Sequence, residues 1–245
     1  MSGHGIESRR GWESEAENWI SWARKPGHDD YWSYSPAFFR DVVPSPAGRT
    51  LEIGCGEGRV TRDLQRLGHD AFAVDTSPTL VRAARDLDPG GRYILGDAAR
   101  LPFEAGTFAI VVAYNSLMDV DDMQRAVGEA SRVLRPNGRM CICVTHPMAD
   151  AGRFADRSAD APFVIAGDYL GTRIFDESFE RDGLTIRFYG YAYPLEAYAR
   201  ALEAADLLIE TIREPPQKDE LAVSIPAEAR WQRLPNFLFV RAVKR

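Results

Sequence analysis

The 245-residue sequence has a globular composition, with 45% hydrophobic and 27% charged residues, which is enough apolar material for a sizeable core. Acidic residues outnumber basic ones and give a net charge of −6, so the chain lacks the overall positive field of typical nucleic-acid binders. The absence of an apolar signal segment and of any membrane-length stretch predicts a cytoplasmic protein. No zinc-binding spacing is present, and three residues are interpreted as buried reduced thiols: Cys55, Cys141 and Cys143.

The first predicted unit, residues 1–48, is rich in tryptophan and tyrosine. One face of a predicted helix, which ends at Pro26-Gly27, carries three tryptophans over part of the run: Trp12, Trp19 and Trp22. This stripe fits docking on the main core and equally fits a lid over a ligand. We predict an N-terminal helical lid, and its candidates for closing over a ligand are Tyr31, Trp32 and Tyr34.

Residues 49–146 alternate between strand-like and helix-like segments. Five apolar runs predict strands: RTLEIG, DAFAVD, RYILGD, FAIVVAYN and RMCICVTH. Helices are predicted for RVTRDLQRLG, for SPTLVRAARDL with Ser77 as its N-cap, and for DDMQRAVGEASRVLRPNG. Alternation of this kind predicts an α/β fold with a parallel, doubly wound sheet and right-handed crossovers.

The alternation of strand-like and helix-like segments stops in residues 147–193. Small and polar residues predict a loop, and TRIFDESFERDGLTIRFYGYAY predicts a β-hairpin that turns at Asp182-Gly183. This segment is too short for an independent domain, so we predict a cap on the carboxyl edge of the sheet. Residues 194–245 predict a helix near Pro194 and two strands, which makes the chain a single domain.

A glycine-rich loop, Gly54-Cys55-Gly56-Glu57-Gly58, joins the first predicted strand to the first helix of this alternation. Glycine lets the backbone approach a ligand closely, and the N-terminus of a helix offers unpaired N–H groups. The dinucleotide fingerprint G-x-G-x-x-G requires a third glycine where this chain has Arg59. The loop therefore predicts a ligand and argues against a nicotinamide dinucleotide.

Polar residues stand at the carboxyl ends of the second, third and fourth predicted strands. In chain order they are Asp75 with Thr76, Asp97 with Ala98, and Asn115 with Ser116. A carboxylate after the second strand can accept hydrogen bonds from both hydroxyls of a ribose, and one after the third can accept the exocyclic amine of adenine. Together with the glycine loop, these positions indicate an adenosyl cofactor.

The chain resembles the class I S-adenosylmethionine-dependent methyltransferases, in the small-molecule branch called type 11, in four motifs: LEIGCGEGRVTRDL, AVDTSPTLVRAAR, GDAARLPFEAGTFAIVVAYNSLMDVDD and RVLRPNGRM. The likeness covers roughly residues 48–146. It implies a Rossmann-like sheet of seven strands in the order 3-2-1-4-5-7-6, with one strand antiparallel, and S-adenosylmethionine as cofactor. The cofactor-binding residues that it implies are Glu52, Gly54, Gly56, Gly58, Asp75, Thr76, Asp97, Ala98, Asn115 and Ser116.

Methyl transfer needs a positioned acceptor and, where the acceptor loses a proton, a base. His146, directly after the fifth predicted strand, is the candidate base because an imidazole with an ordinary pKa of about 6.5 takes up protons near neutral pH. The alternative is a histidine that closes the strand with a hydrogen bond. Tyr34 is the second candidate catalytic residue, since an aromatic face attracts the cofactor's sulfonium cation.

The predicted function is methyl transfer from S-adenosylmethionine to a small molecule of aromatic or apolar character. Oxygen is slightly preferred over nitrogen or carbon as the acceptor atom because of His146. Two alternatives stay open: an S-adenosylmethionine-binding protein that transfers no methyl group, and an NAD(P)-dependent oxidoreductase. The acidic balance and the lack of an Asn-Pro-Pro-aromatic signature after the fourth strand argue against methylation of nucleic acids or proteins.

Overall fold

The computed structural model describes residues 7–245, which build a seven-stranded sheet flanked by helices. The strands of this region are β1 (Arg49–Ile53), β2 (Asp70–Asp75), β3 (Arg92–Leu95), β4 (Phe108–Tyr114), β5 (Leu134–Thr145), β6 (Gly152–Phe154), β7 (Phe163–Ile165), β8 (Arg173–Arg181), β9 (Leu184–Ala192), β10 (Leu207–Arg213) and β11 (Phe237–Lys244). Its α-helices are α1 (Glu7–Ser14), α2 (Ala16–Ala23), α3 (Tyr31–Asp41), α4 (Arg59–Arg66), α5 (Pro78–Leu87), α6 (Met123–Val133), α7 (Pro147–Asp150), α8 (Leu195–Ala204), α9 (Asp219–Ser224) and α10 (Pro226–Ala229). Short 3-10 helices span Leu117–Asp119 and Arg230–Gln232.

The strand order of the sheet is β3-β2-β1-β4-β5-β11-β10. Strands β1 to β5 are parallel, and β11 is antiparallel to both of its neighbours, β5 and β10. The strand numbers differ from the expected ones because β6 to β9 lie outside the sheet, and without them the order is 3-2-1-4-5-7-6. The predicted Rossmann-like sheet is confirmed, and its topological switch point lies between β1 and β4, where α/β sheets bind ligands.

Local sequence signals explain the individual elements. Every residue of β4 is buried, as expected for a central strand covered on both faces. Helix α5 begins at Pro78 after Ser77, whose hydroxyl accepts a hydrogen bond from the N–H of Leu80 at 3.1 Å. The β8–β9 hairpin turns at Asp182 (φ 51°) and Gly183 (φ 76°), the pair of positive φ angles that a two-residue hairpin turn requires.

The core lies on both faces of the sheet and follows the two-residue period of the strands. On β5, Met140 and Ile142 pack on the side of α6 and α8, and Cys141 and Cys143 pack on the side of α3 and α4. Both of these cysteines, like Cys55, are free and buried. This burial supports the interpretation of the three thiols as packing residues, since a free cysteine behaves as a small hydrophobe.

The N-terminal segment differs from the expected single helix because it turns at Glu15, between α1 and α2. The tryptophans still meet, with the rings of Trp12 and Trp19 in edge contact at 5.8 Å, and both contact Phe188 of β9. Helix α3 instead buries Phe38 completely in the core. The lid prediction therefore applies to α1 and α2, while α3 is part of the sheet's packing.

Candidate active site

A cavity of about 1540 Å³ opens at the carboxyl edge of the sheet, above the roughly 300–1,000 Å³ that is common for ligand pockets. Its walls come from the loops after β1 to β4, from α1 and α2, and from the β8–β9 hairpin. This volume accommodates a cofactor and a second molecule together. Nine of the residues predicted to hold the cofactor line the cavity: Glu52, Gly54, Gly56, Asp75, Thr76, Asp97, Ala98, Asn115 and Ser116.

The glycine loop approaches both the end of β4 and the lid. Gly54 (φ 69°) and Gly56 (φ 56°) have left-handed backbone conformations, which residues with side chains adopt at a cost. A Cβ on Gly54 would lie 2.4 Å from the Cβ of Ser116, and one on Gly56 would lie 3.1 Å from Nε1 of Trp19. Glycine at position 54 thus admits the turn after β4, and Gly56 presents bare backbone towards the lid.

Several N–H groups of this loop are already used within the protein. Gly54 and Cys55 donate to the carbonyl oxygen of Val74 at 2.8 and 3.1 Å, and Gly56 donates to Oδ2 of Asp75 at 2.8 Å. A loop that binds pyrophosphate keeps such N–H groups for the phosphate oxygens. The hydrogen bonding therefore argues against the dinucleotide alternative.

The structure corrects the predicted role of Gly58. This residue is the N-cap of α4, with a φ of 86°, and is not among the cavity-lining residues. A Cβ at this position would lie 2.7 Å from Cε1 of Tyr93. The absence of a side chain at Gly58 consequently serves packing against Tyr93 and the tight entry into the helix.

Asp75 ends β2 with its carboxylate held by two backbone groups. The N–H of Gly56 donates to Oδ2 at 2.8 Å and the N–H of Ser77 donates to Oδ1 at 2.9 Å. Burial raises the pKa of Asp75, and these two hydrogen bonds oppose that effect. Each carboxylate oxygen retains a further lone pair, so Asp75, with Thr76 beside it in the cavity, fits a pair of ribose hydroxyls.

The other two acidic residues predicted to serve the cofactor lie in different surroundings. Asp97 is exposed beside buried Ala98, and its Oδ1 accepts a hydrogen bond from the N–H of Ala99 at 2.8 Å. Glu52 is only 1% exposed and accepts a hydrogen bond from the hydroxyl of Thr61. Burial raises the pKa of Glu52 to about 8, so it is largely protonated at neutral pH. Asp97 is thus open to a ligand, whereas Glu52 supports the loop from within.

The turn after β4 joins the glycine loop to the centre of the sheet. Asn115 has a left-handed φ of 48°, and its N–H donates to the carbonyl oxygen of Cys143 at 2.8 Å. The hydroxyl of Ser116 donates to the carbonyl oxygen of Ile53 at 2.8 Å. Both residues line the cavity, but the Ser116 hydroxyl is engaged with β1, so Ser116 positions the turn.

The structure corrects the predicted role of His146. Its Nδ1 accepts a hydrogen bond from the N–H of Met148 at 3.1 Å as the N-cap of α7, and its Nε2 lies 2.9 Å from Oε1 of Glu214. This pattern requires the neutral ring with its proton on Nε2, donated to Glu214. Burial lowers the pKa of His146, although Glu214 opposes the effect. Both ring nitrogens are engaged and His146 is not a cavity-lining residue, so it closes the strand and is not placed to act as a base.

Tyr34 is likewise corrected as a catalytic candidate. Its side chain is 1% exposed, and its ring packs edge-on against Phe237 at 4.8 Å. The helical period places Tyr34 on the same face of α3 as Phe38, one turn away, and that face is turned to the sheet. Tyr31 does line the cavity, whereas Trp32 is 44% exposed.

Polar contacts between the lid and the cofactor loops were missed at the sequence level. Arg59 forms an ion pair with Asp29 at 2.6 Å, and its guanidinium lies 4.2 Å from the ring centre of Tyr31. Glu13 of α1 accepts a hydrogen bond from the hydroxyl of Thr79 at 2.7 Å, at the start of α5. The signal in the sequence was Arg59 itself, which we interpreted only as a missing glycine.

Two carboxyl groups of the cavity were also missed. Asp119 lies at the end of the 3-10 helix after β4, and Asp150 ends α7. Burial raises the pKa of both, that of Asp150 to about 7, and the charges of Asp75 and Asp150 raise the pKa of Asp119 further. The run Met118-Asp119-Val120-Asp121-Asp122 showed three acids in the sequence, and all three line the cavity, but the sequence did not indicate which of their carboxylates are engaged by other groups of the protein.

The site as a whole fits the adenosyl cofactor that the sequence predicts. The bare backbone at Gly56 leaves a gap below Trp19 that a side chain would fill. Asp75 has free acceptor capacity for ribose hydroxyls, and Asp97 beside Ala98 offers an acceptor for an amine. The N–H groups of Gly54, Cys55, Gly56 and Gly58 are engaged within the protein, unlike those of a loop that binds a diphosphate.

Comparison with known proteins agrees with this fit. A family model described as a methyltransferase domain matches residues 51–142. An uncharacterised methyltransferase of Mycobacterium bovis is 34% identical over 108 residues, which are 44% of each chain, so the match spans less than half of that relative. A demethylmenaquinone methyltransferase of Beutenbergia cavernae is 30% identical over 192 residues, 76% of this chain and 67% of that protein.

Known structures share the fold. The crystal structure of an S-adenosylmethionine-dependent methyltransferase from Mesorhizobium loti superposes with a TM-score of 0.69 at 23% identity, covering 88% of this chain and 98% of that one. Within residues 7–245, no helix combines the length and apolar character needed to cross a membrane. On the strength of the long match to the Beutenbergia protein, together with the family model and this fold, the chain belongs to the class I S-adenosylmethionine-dependent methyltransferases.

Proposed function

We propose that the protein transfers the methyl group of S-adenosylmethionine to a small molecule, with a hydroxyl oxygen preferred over nitrogen or carbon as the acceptor atom. The observation that carries the proposal is the cavity, where the cofactor-type strand ends, the lid and the cap line one continuous space. When bound, S-adenosylmethionine supplies a methyl group that is already activated. The chain itself has to position the acceptor, exclude water and receive a proton.

The walls of the cavity support a small acceptor with a flat or apolar body. Aromatic rings offer a large contact area at little conformational cost. Those contributed by the cap, α2 and the C-terminal segment are Trp19, Trp22, Phe154, Phe175, Phe179, Phe188, Tyr191, Trp231 and Phe237. This composition is the ground for proposing an aromatic or apolar acceptor.

The preference for oxygen needs a new basis, since His146 is engaged elsewhere. The cavity contains Asp119 and Asp150, whose pKa values are raised by burial. A carboxylate with a raised pKa is a better base than an ordinary one. A hydroxyl benefits from such a group, because its oxygen becomes a strong nucleophile only as the proton leaves.

The cofactor part of the proposal is tested by titration calorimetry with S-adenosylhomocysteine. We expect Asp75→Ala to weaken binding about 30- to 100-fold, because charged hydrogen bonds of this kind contribute about 2–3 kcal/mol. Asp70→Ala is the matched control, since Asp70 begins the same strand and pairs only at the surface with Arg92. Equal affinities of the two variants would contradict the assignment of Asp75.

The reaction is tested by measuring S-adenosylhomocysteine formation with phenol, 4-nitrophenol, benzylamine and demethylmenaquinone as probes, the last being the substrate class named for the Beutenbergia relative. We expect methylation of a hydroxyl probe. Tight binding of S-adenosylmethionine without product from any probe would favour the alternative that transfers no methyl group. Binding of NADH in place of either form of the cofactor would favour an oxidoreductase.

A further inference from the structure

The backbone of Asp119 is fixed by both the sheet and the lid. It closes the 3-10 helix Leu117–Asp119, which follows the turn that Ser116 ties to the carbonyl oxygen of Ile53. From the opposite side, the hydroxyl of Ser8 in α1 donates a hydrogen bond to the carbonyl oxygen of Asp119. The residue therefore stands where the end of β4 meets the N-terminal helices.

The cap meets the carboxylate of Asp119 directly. A Cβ on Gly190 of β9 would lie 2.6 Å from Oδ1 of Asp119 and 2.8 Å from the carbonyl oxygen of Met118. Any side chain at position 190 would displace this carboxylate. Strand β9 thus omits a side chain at the point where Asp119 reaches into the cavity.

Asp119 differs from the two acids that follow it in the chain. Asp122 accepts a hydrogen bond from the N–H of Arg125 at 2.9 Å as the N-cap of α6, and Asp121 accepts one from the hydroxyl of Tyr191 at 3.3 Å. In the region spanning residues 7–245, no group donates a hydrogen bond to the carboxylate of Asp119. Of the three carboxylates of Asp119, Asp121 and Asp122, that of Asp119 is the one that accepts no such hydrogen bond within this region.

The charges that act on Asp119 place it between the two ends of the cavity. Its pKa is raised by burial, then by Asp75 at the end of β2 and by Asp150 at the end of α7. The elements that pack against it from the lid and the cap contribute Ser8 and Gly190, which are uncharged. Asp119 therefore lies within electrostatic reach of the predicted ribose carboxylate and of the cap-side carboxylate.

We propose that Asp119 is the catalytic base that takes the proton of the acceptor hydroxyl, an inference that rests on the proposed function. The proton passes from the acceptor oxygen to the Asp119 carboxylate, and an electron pair of that oxygen forms the bond to the methyl carbon. The methyl–sulfur bond breaks with its electron pair kept by sulfur, so the products are the methyl ether, S-adenosylhomocysteine and protonated Asp119. Solvent then removes this proton when the products leave.

Two further cavity carboxyl groups compete for this role, Asp30 and Asp150, and the surroundings of both differ. Burial raises the pKa of Asp30 to about 6, and its Oδ2 already accepts a hydrogen bond from the side-chain amide of Asn236 at 3.1 Å. Asp150 is held from the cap. The nearest charges acting on it are those of Arg173 and Glu177 on β8, and the guanidinium of Arg173 donates a hydrogen bond to its backbone oxygen. These contacts tie Asp150 to strand β8 of the cap. Asp119 follows Asn115 by four residues, which favours Asp119 as the group nearest to the reacting atoms.

The test compares Asp119→Asn with the matched control Asp122→Asn, which keeps an N-cap side chain because asparagine caps helices as well as aspartate. Activity is measured with phenol, which is un-ionised at about pH 8, and with 4-nitrophenol, which is largely ionised there. We expect Asp119→Asn to lower kcat/KM for phenol about 100-fold or more and to affect 4-nitrophenol several-fold at most. We also expect it to abolish the rise of kcat/KM with pH that ionisation of Asp119 produces in the wild type. Binding of S-adenosylhomocysteine should remain within about twofold, which shows that the variant folds.

Several results would overturn the inference. Equal losses for phenol and 4-nitrophenol would show a structural effect, and retention of the wild-type pH profile would show that another group is the base. A loss that follows His146→Gln or Asp150→Asn in place of Asp119→Asn would reassign the role. If the wild type methylates a probe and Asp119→Asn does so at the same rate, the inference on Asp119 is wrong and the proposed function stands. If the wild type methylates none of the probes, both the proposed function and the inference that rests on it are wrong.

Discussion

The two halves of the cavity wall are held by different kinds of interaction. The half formed by the strand ends rests on a buried sheet, where Phe108 is fully buried and meets the rings of Phe72 and Phe103 edge-on. The half formed by α1, α2 and the hairpin rests on ring contacts around Phe188 and on ion pairs such as that of Arg59 with Asp29. The first half is thus rigid and preformed, and the second has few of the buried contacts that resist local opening.

This difference suits the proposed function, because a cofactor and an acceptor must both enter and leave the cavity. Strand β8 is mostly exposed along its length, so the hairpin depends on its neighbours in the lid. We therefore expect substitutions in the sheet half to change global stability, and those in the lid half to change ligand binding more than stability.

The largest expected effect separates the two halves by stability. Phe108→Ala should lower the free energy of unfolding by about 3–5 kcal/mol, because it empties a closely packed core. Phe188→Ala should lower it by only about 1–2 kcal/mol, because its ring lies half-buried among the tryptophans. Urea unfolding of both variants measures the difference. Similar losses of unfolding free energy in the two variants would mean that the lid and the cap are packed as tightly as the sheet, and would contradict this comparison.

A smaller effect is expected for Arg59, the first residue of α4, whose guanidinium lies 5.1 Å from the ring centre of Trp19 in α2 and pairs with Asp29 in the segment after α2. Arg59→Ala removes the ion pair with Asp29 and the cation–π contact with Tyr31, and should cost about 1 kcal/mol of stability. We also expect faster cleavage of residues 7–30 by protease and weaker binding of S-adenosylhomocysteine. The control is Arg66→Ala on the same helix, whose side chain is 72% exposed in its pair with Asp63. Equal protease sensitivity of the two variants would contradict the anchoring role.

A pH dependence is also expected for the sheet half. Folding raises the pKa of Glu52 from its ordinary 4.5 to about 8, so the folded state favours the protonated form. The stabilisation is complete below about pH 4.5 and is lost as the pH rises through about 8. Glu52→Gln mimics the protonated group, and it should flatten the dependence and raise Tm at about pH 9 by about 2–4 °C for each kcal/mol regained. Parallel curves of Tm against pH for the variant and the wild type would contradict the raised pKa of Glu52.

The sheet was predictable because its signals are local. Short apolar runs followed by polar residues mark parallel strands, as in FAIVVAY of β4, and parallel strands present their carboxyl ends at one edge. Asp75, Asp97 and Asn115 follow from that rule alone and do line one cavity. The same rule also predicted His146 as a site residue. It was insufficient there, because a position at the end of a strand does not indicate whether the side chain faces the ligand or caps the next helix.

The remaining corrections have the same origin. Tyr34 and Gly58 lie close in sequence to cavity residues, yet the face of α3 and the direction of the loop turn them towards Phe237 and Tyr93. Contacts between distant segments, such as Ser8 with Asp119 and Gly190 with Asp119, leave no periodic trace in a single sequence.

The amino-acid sequence by itself determined the strand–helix alternation and the cofactor loop, since these depend on periodicity and on motifs a few residues long, and the resemblance carried by those motifs implied the family and the sheet order. Only the tertiary structure decided which polar groups are consumed inside the protein and which remain available to a ligand. The physical reason is that the availability of a carboxylate or an imidazole depends on hydrogen-bond partners that fold in from far along the chain. His146 is occupied by Glu214 from the segment after β10, and Asp119 is left with its carboxylate in the cavity between the lid and the cap.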